Sequence, residues 1–386
     1  MLDTVVLTLD QSRFEVLLPE RFSPSAKGLL APPFYSLGSR GNFICVQNPT
    51  KADLQAGQYL PRLTLIKRKN SGGFALTLRI EFSAPKLVFG NNFDELDSHD
   101  FTKVLTALHH GLSNMGIRLS SEALSKAPVS VIHYSKNIAF TDFTSCSMVM
   151  SELELIDLTN RLDLSRTDYR NEGHAIRYHA NSFEVTFYDK LKDLGKARYS
   201  EKRAIERDYG AQLDMFRRPN SVPKELEVLR MEVRLGTRAK IANLLKRIEV
   251  DAELRFEALF NADIAKSVLG HFWTQIRAQL PLSHNAPQPE DLLSALAYAG
   301  KGTVRPGKLL QQLGYAVLVG AVGFRGAGAA LSRHCSPRSW QRYKRELKAF
   351  PMRAAGGFRA LNQVDQALNR FEPVHMKNFQ VLGKIA

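Results

Sequence analysis

Only three cysteines, Cys45, Cys146 and Cys335, occur in 386 residues, and they are scattered. Neither a disulfide framework nor a zinc-type cluster is expected from them. No glycine-rich loop followed by Lys and Ser or Thr is present, so the usual cradle for nucleotide phosphates is missing. The opening stretch "MLDTVVLTLDQSRFEVLLP" carries acids where a secretory signal carries basic residues. Long apolar runs are also missing: "LLQQLGYAVLVGAVGFRGAGAAL" is broken by Arg325. These absences point to a soluble cytoplasmic protein with no membrane partner.

Acids are scarce at the C-terminal end. The chain has 53 Lys plus Arg against 38 acids, a formal charge of +15. From Lys301 onward only Glu346, Asp365 and Glu372 are acidic, so most of the excess lies in the last quarter. Such a balance favours polyanionic partners, nucleic acid above all, or an acidic membrane surface. The 44% hydrophobic content is that of an ordinary globular chain with a sizeable core.

What is present reads as α+β. "TVVLTL", "FEVLLP", "NFICVQ", "RLTLIKR" and "FALTLRIEFS" are strand-like, separated by turn clusters such as "SLGSRGN" and "KNSGG". "DSHDFTKVLTALHHGLSNMG" is a helix with Gly116 as its stop, and "VSVIHYSKNIAFTDF" is another strand. Residues 145 to 170 fit strand and helix about equally, with a lean to helix. "FEVTFYDK" and "VLRMEVRLGT" alternate as strands, with the strongly helical, basic "GKARYSEKRAIERDY" between them. From about residue 240 the pattern is helical, and 282–290 reads as a linker. The boundaries expected are a sheet-rich region over 1–240, a helical connector over 241–300 and a basic helical region over 301–386.

In that last region "GAGAALSRHCSPRSWQRYKRELKAF" has the proportions of a helix-turn-helix, with Ser336 as N-cap and Pro337 at the first helical position. Arg338, Arg342, Lys344 and Arg345 would contact nucleic acid, or form a solvated basic surface. Trp340, Tyr343 and Leu347 at helical spacing read as core contacts.

The chemistry on offer lies on polar strand faces. If "FEVTFYDK" is extended, Phe183, Val185 and Phe187 point one way and Glu184, Thr186, Tyr188 and Lys190 the other. "VLRMEVRLGT" puts Glu232 between Arg230 and Arg234, and "IHYSKNIAFTDF" offers His133, Lys136, Asn137 and Asp142. Tyr188 is either an amphipathic strand residue or a nucleophile. A phenol titrates near 10, so a nucleophilic tyrosine needs a cation such as Lys190 or a divalent metal beside it. Glu232 and Asp142 are hard oxygen donors suited to Mg²⁺ or Mn²⁺. The serine-hydrolase elbow and the two-histidine signature of metal-dependent nicking enzymes are absent, and His109 and His110 point about 100° apart on their helix. Attack of tyrosine on a DNA phosphate is consistent with these parts.

"LRIEFSAPKLVFGNNFDEL" resembles the strand, Ser-x-Pro-Lys turn and Gly-Asn pair of replication initiators of filamentous phages, the gene II and gene X type, and of related plasmid proteins. "MLDTVVLTL", "IHYSKNIAF", "VTFYDKLKDL", "VLRMEVRLGTR" and "SPRSWQRYKRELKAF" resemble further segments of that family in the same order. The resemblance implies an antiparallel-sheet Rep-type nuclease that nicks one strand of supercoiled origin DNA, is linked to its 5′ phosphate through tyrosine and later rejoins the displaced single strand. It implies a host polymerase and helicase as partners, in the cytoplasm of a bacterial host. By the same resemblance Tyr188 is the nucleophile with Lys190 beside it, and Glu232 is the metal carboxylate. The second acid could be Asp142, the position could be Asn137, or the counterpart could lie in "NRLDL" at Arg161 and Asp163. His133 is a hydrogen-bonded strand residue, a ligand or a proton shuttle. Lys136, Arg230 and Arg234 are further candidates for nucleic-acid contact. "SAPKLVFGNN" reads as a structural turn. The rival readings are a non-catalytic DNA-binding regulator, and a topology-resolving or recombination enzyme using the same phosphotyrosine step.

Overall fold

A computed structural model describes residues 1–24, 42–50, 53, 58–70, 73–154, 156, 166–170, 175–193, 226–278, 289–299, 305–331, 334–348 and 359–380. The helical reading of 195–209, the pair Arg161 and Asp163, and most of the 282–290 linker lie outside these residues.

The first elements are β1 (Leu2–Asp10), β2 (Glu15–Val16), β3 (Ser23–Pro24), β4 (Phe43–Gln47), β5 (Arg62–Asn70) and β6 (Gly73–Ser83). Then come α1 (Ala84–Phe89), α2 (Phe101–Asn114), β7 (Ile117–Arg118), α3 (Ser121–Ser125), β8 (Val129–Phe140) and α4 (Cys146–Glu154). Strands β9 (Arg166–Arg170), β10 (Ala175–His179), β11 (Phe183–Asp189) and β12 (Glu227–Leu235) follow. The rest is helical: α5 (Arg238–Arg247), α6 (Phe256–Leu259), α7 (Ala262–Arg277), α8 (Pro289–Ala299), α9 (Pro306–Leu331), α10 (Pro337–Lys348), α11 (Arg359–Arg370) and α12 (Lys377–Gln380). No helix among the described residues is long and apolar enough to cross a membrane.

Two compact units are formed. The first takes in residues 1–143, 182–269 and 370–386, and the second 144–181 and 270–369. The sequence boundaries at 240 and 300 coincide with neither, and residues 370–386 belong with the sheet.

In the first unit the strands form an antiparallel sheet in the order β3-β4-β5-β6-β1-β8-β12-β11. Its alternation follows the sequence. Val5, Leu7 and Leu9 of β1, Leu78, Ile80 and Phe82 of β6, Ile132 and Tyr134 of β8, and Met231 and Val233 of β12 are buried. Side chains of period two on paired strands share one face, and here that face is apolar. Aromatic rings from the helical segments close on it: Phe256 of α6 meets Phe82 edge-on at 5.7 Å, and Phe101 of α2 lies 5.2 Å from Phe256.

Gly116 ends α2 as the spacing requires, with φ of +78°. A Cβ there would sit 2.6 Å from Leu18 Cβ. Gly116→Ala therefore meets both left-handed strain and a clash, and should lose about 1–3 kcal/mol in urea unfolding. "SAPKLVF" is not a turn. Pro85 sits in the first turn of α1, which ends at Gly90 with φ of 68°, and the turn follows at Asn91. Proline is tolerated where its missing N–H is not needed, which is why the motif opens a helix.

In the second unit β9 and β10 pair antiparallel, and α8 and α9 share an apolar cluster of Leu292, Leu296, Ala316, Val319 and Ala327. Trp340 packs against it. Ser336 Oγ accepts from Ser339 N at 3.1 Å and so caps α10, with Pro337 at its start. Tyr343 stacks on Tyr315 at 4.3 Å, so both aromatic residues of α10 face inward as their spacing indicates. The ambiguous stretch from 145 begins as α4, and β9 lies at its far end.

Candidate active site

The polar cluster is assembled by register on the face of the sheet opposite the apolar one. Glu232 pairs with Ser135 and Thr186, Arg230 with Asn137 and Tyr188, and Arg234 with His133 and Glu184. Three adjacent rungs thus carry His133, Arg234 and Glu184, then Ser135, Glu232 and Thr186, then Asn137, Arg230 and Tyr188. Directly opposed side chains in an antiparallel pair lie about 4.5–5.5 Å apart at Cβ, which brings these groups within reach of one another.

Glu232 is at the centre. Arg234 grips it as a fork, Nε to Oε1 at 2.8 Å and Nη2 to Oε2 at 3.1 Å, and Arg234 Nη1 also holds Glu184 Oε1 at 2.9 Å. His133 Nδ1 is 3.2 Å from Glu232 Oε1. The Tyr188 hydroxyl donates to Glu232 Oε2 at 3.4 Å, a long and weak bond. Burial alone would raise the Glu232 carboxyl, but Arg234 and His133 outweigh it and hold the group well below the usual carboxylate range.

Tyr188 is half-buried. Burial pushes its phenol well above its ordinary value, and Arg230 opposes this while Glu232 adds to it. The phenol is therefore protonated at neutral pH, and activation must come from a base or from charge brought by a substrate. Arg230 is fully buried. Its Nε donates to Asn137 Oδ1 at 2.9 Å, its Nη2 to Asn92 O at 2.7 Å, and Asp3 Oδ2 lies 3.8 Å from Nη1.

Lys190 is not on the strand. β11 ends at Asp189, whose Oδ1 accepts from Lys192 N at 3.0 Å, and Lys190 opens the helical turn that follows. It is nevertheless fully buried, with Nζ donating to Asn92 Oδ1 at 2.8 Å and lying 5.9 Å from the centre of the Tyr188 ring. Burial, helped by Arg230, pushes its amine down to about 7. A group so placed exchanges a proton near neutrality.

Four expected roles change. Asp142 is not beside Glu232: from Ser135 to Phe140, opposite Glu227, β8 advances five residues, about 17 Å at ~3.3 Å each, and Asp142 lies beyond. The two carboxylates cannot share one ion. His133 and Glu232 can, since donors 3.2 Å apart both reach a cation at the usual bond lengths, provided Arg234 yields its hold on the carboxylate. Lys136 is 2% exposed and bonded through Nζ to Glu95 Oε2 and Asn137 O, so it has no free face for nucleic acid. Arg230, 1% exposed, is likewise internal to the cluster, and Asn137 is its buried partner. Arg234 is partly exposed but committed to two carboxylates.

Asn92, Asp3 and Glu95 were not singled out by the sequence. Asn92 stood in the quoted "GNN" and its side-chain acceptor was hidden by the turn chemistry of that pair. Tyr178, a nearby alternative to Tyr188, is buried with its hydroxyl on Leu153 O at 3.2 Å. Tyr199 lies outside the described residues. On α10, Arg338, Arg342 and Arg345 recur at i, i+4 and i+7 and are all exposed, forming one basic stripe; the side chain of Lys344 is outside the described set. No family model, no curated protein and no solved structure matches the chain.

Proposed function

We propose that the chain is a rolling-circle replication initiator of the kind it resembles, a site-specific DNA endonuclease and strand transferase that uses Tyr188 as nucleophile. The observation that supports this most is the convergence on one rung pair of a phenol, a carboxylate and a buried guanidinium, with a lysine of lowered basicity behind them. In the reaction proposed, Tyr188 gives up its proton and its oxygen attacks the scissile phosphorus. The bond to the 3′ oxygen breaks, and that oxygen takes a proton to leave a 3′ hydroxyl. The product is a 5′-phosphotyrosyl ester, close in energy to the bond it replaced, so the strand can be rejoined without ATP. Arg230 and Lys190 offset the charge that develops on phosphate and phenolate.

A divalent ion, Mg²⁺ or Mn²⁺, would be held by Glu232 and His133 and would polarise a phosphodiester oxygen. The substrates would be supercoiled duplex origin DNA and later the displaced single strand. A host helicase and polymerase would take over the 3′ end in the bacterial cytoplasm. The test is incubation of the purified protein with a supercoiled plasmid carrying its origin and Mg²⁺. Nicked circles and a covalent protein–DNA adduct are expected.

The second reading, a non-catalytic DNA-binding regulator, draws on the fork of Arg234 on Glu232, which leaves that carboxylate already satisfied. Tight binding to origin DNA without nicking at any divalent ion concentration would favour it.

Either way the α10 stripe would be a phosphate contact. Replacing Arg338, Arg342 and Arg345 together by Ser should flatten the dependence of log K on log salt by about 2.7, at ~0.9 per phosphate contact released. A titration by fluorescence anisotropy across a salt series measures it, and an unchanged slope removes α10 from the interface. Deleting 301–386 would be a poorer test, because residues 370–386 belong with the sheet.

A further inference from the structure

The turn after α1 is bonded on two sides. Asn91 Oδ1 accepts from Phe93 N and Asp94 N, both at 2.9 Å, which fixes the turn internally. Toward the cluster, Asn92 O accepts from Arg230 and Asn92 Oδ1 from Lys190. Phe93 O accepts from Asn137 Nδ2 at 2.6 Å, and Glu95 Oε1 accepts from Asn137 N at 2.6 Å. On the other side the chain returns from far along the sequence. Glu95 N donates to Val374 O at 3.1 Å, Val374 N to Glu95 Oε2 at 3.0 Å, and Met376 N to Asp94 Oδ1 at 2.7 Å. His375 meets Phe89 edge-on at 5.8 Å. Met376 is buried in a cluster with Phe93, Leu226 and Val228, with Val374 packed against it.

We propose that Phe371–Met376 is a strap that holds the turn Asn91–Glu95, and that through this turn Asn92 acts as a positioning residue, fixing Lys190 and Arg230 beside Tyr188. This rests on the nicking reading for its reaction, but the positioning itself stands on the bonds above. Lys190 is fully buried, and Asn92 offers it a neutral oxygen that favours its ammonium form. The charged groups around Lys190 are Arg230 on β12, Asp3 on β1, Lys86 on α1 and Asp193 in the following turn, with the Tyr188 phenol two residues before it. Of the atoms that hold Lys190, Asn92 Oδ1 is the one governed by the strap.

The sign follows. Removing an acceptor from an ammonium lowers its pKa, and adding a carboxylate raises it. Asn92→Ala should therefore move the Lys190 titration to lower pH and Asn92→Asp to higher pH. Asp94→Ala, which releases Met376 N, should move it in the direction of Asn92→Ala. The titration is read by NMR of ¹³C-lysine-labelled full-length protein, with Lys190→Arg identifying the signal.

In single-turnover cleavage of labelled origin DNA, Asn92→Ala should lose about 10²-fold in rate, the cost of misplacing a reacting group by about 1 Å, with DNA affinity unchanged. The alkaline limb of its pH profile should move with the Lys190 titration. A Lys190 signal that stays in place in all three variants overturns the strap. So does a cleavage rate equal to wild type in Asn92→Ala. If wild type forms no adduct, the nicking reading fails, and the NMR arm still decides the positioning.

Discussion

Tyr188→Phe should bind origin DNA as tightly as wild type and leave no 5′-labelled phosphate on the protein. The substitution removes one oxygen from a ring whose position is set by strand register opposite Arg230 and by flanking residues Phe187 and Asp189, both buried. The bond lost is the long one to Glu232, while Arg234 and His133 still hold that carboxylate, so no buried charge is stranded. The stability change should stay within about 1 kcal/mol, the usual worth of a single hydrogen bond. The effect on strand transfer should be total, because no other group can form the ester. Labelled phosphate recovered on another tyrosine would remove Tyr188 while keeping the reaction class. Tyr178 is a poor substitute, buried with its hydroxyl committed to a backbone carbonyl.

The pH dependence of that step follows from the same surroundings. Burial keeps the Tyr188 phenol protonated through neutrality and brings the Lys190 amine to about 7. If the cationic lysine offsets developing charge, the rate should fall as pH rises through Lys190's pKa rather than through the ordinary lysine value near 10.4. His133 reaches the same carboxylate from the more exposed side, with about a fifth of its side chain accessible, so it is the member of the set that solvent or an incoming ion meets first.

Much of this architecture could be read from alternation. β1, β6, β8, β11 and β12 each carry apolar residues at every second position, and a sheet with one buried face requires that pattern. Tyr188, Glu232 and Arg230 were legible as a polar face for the same reason. Their partners were not, because period two says which face a side chain takes but not which rung it meets. Only the register puts Tyr188 across from Arg230 and carries Asp142 away from Glu232. Lys190 shows a second limit: counting two onward from Tyr188 assumes the strand continues, and Asp189 ends it by accepting from Lys192 N. Long-range pairing was hidden altogether. Nothing local in "GNNFDEL" announces that Val374 and Met376 will donate to its carboxylates. Lys136 shows the cost of counting cations as DNA contacts, since a lysine among strand residues is as easily a buried ion-pair partner.

Lys136→Met should be among the most destabilising single changes in the sheet, at about 3–5 kcal/mol, with no loss of DNA affinity in the fraction that remains folded. Lys136 and Glu95 are 2% and 1% exposed and bonded at 2.5 Å, beside the point where β8 runs past the end of β1. There Asn137 N takes Glu95 Oε1 in place of a strand partner, so the carboxylate completes the ladder as well as the ion pair. Burial alone would raise the Glu95 carboxyl, but Lys136 outweighs it and holds it below its ordinary value. A depressed carboxylate adds stability that is present above its unfolded pKa and lost as pH falls through the folded one. Removing Lys136 reverses the balance. Glu95 is left buried with neutral N–H donors, its pKa rises, and the variant gains stability relative to wild type as pH falls toward 4, where the carboxyl is protonated. Urea unfolding at neutral and acid pH should therefore show a gap that narrows on acidification. The double variant Lys136→Met with Glu95→Gln, which removes both charges and keeps an acceptor for Asn137 N, should recover most of the loss. A single variant as stable as wild type at pH 7 would mean that the pair contributes nothing to holding β8 at this edge.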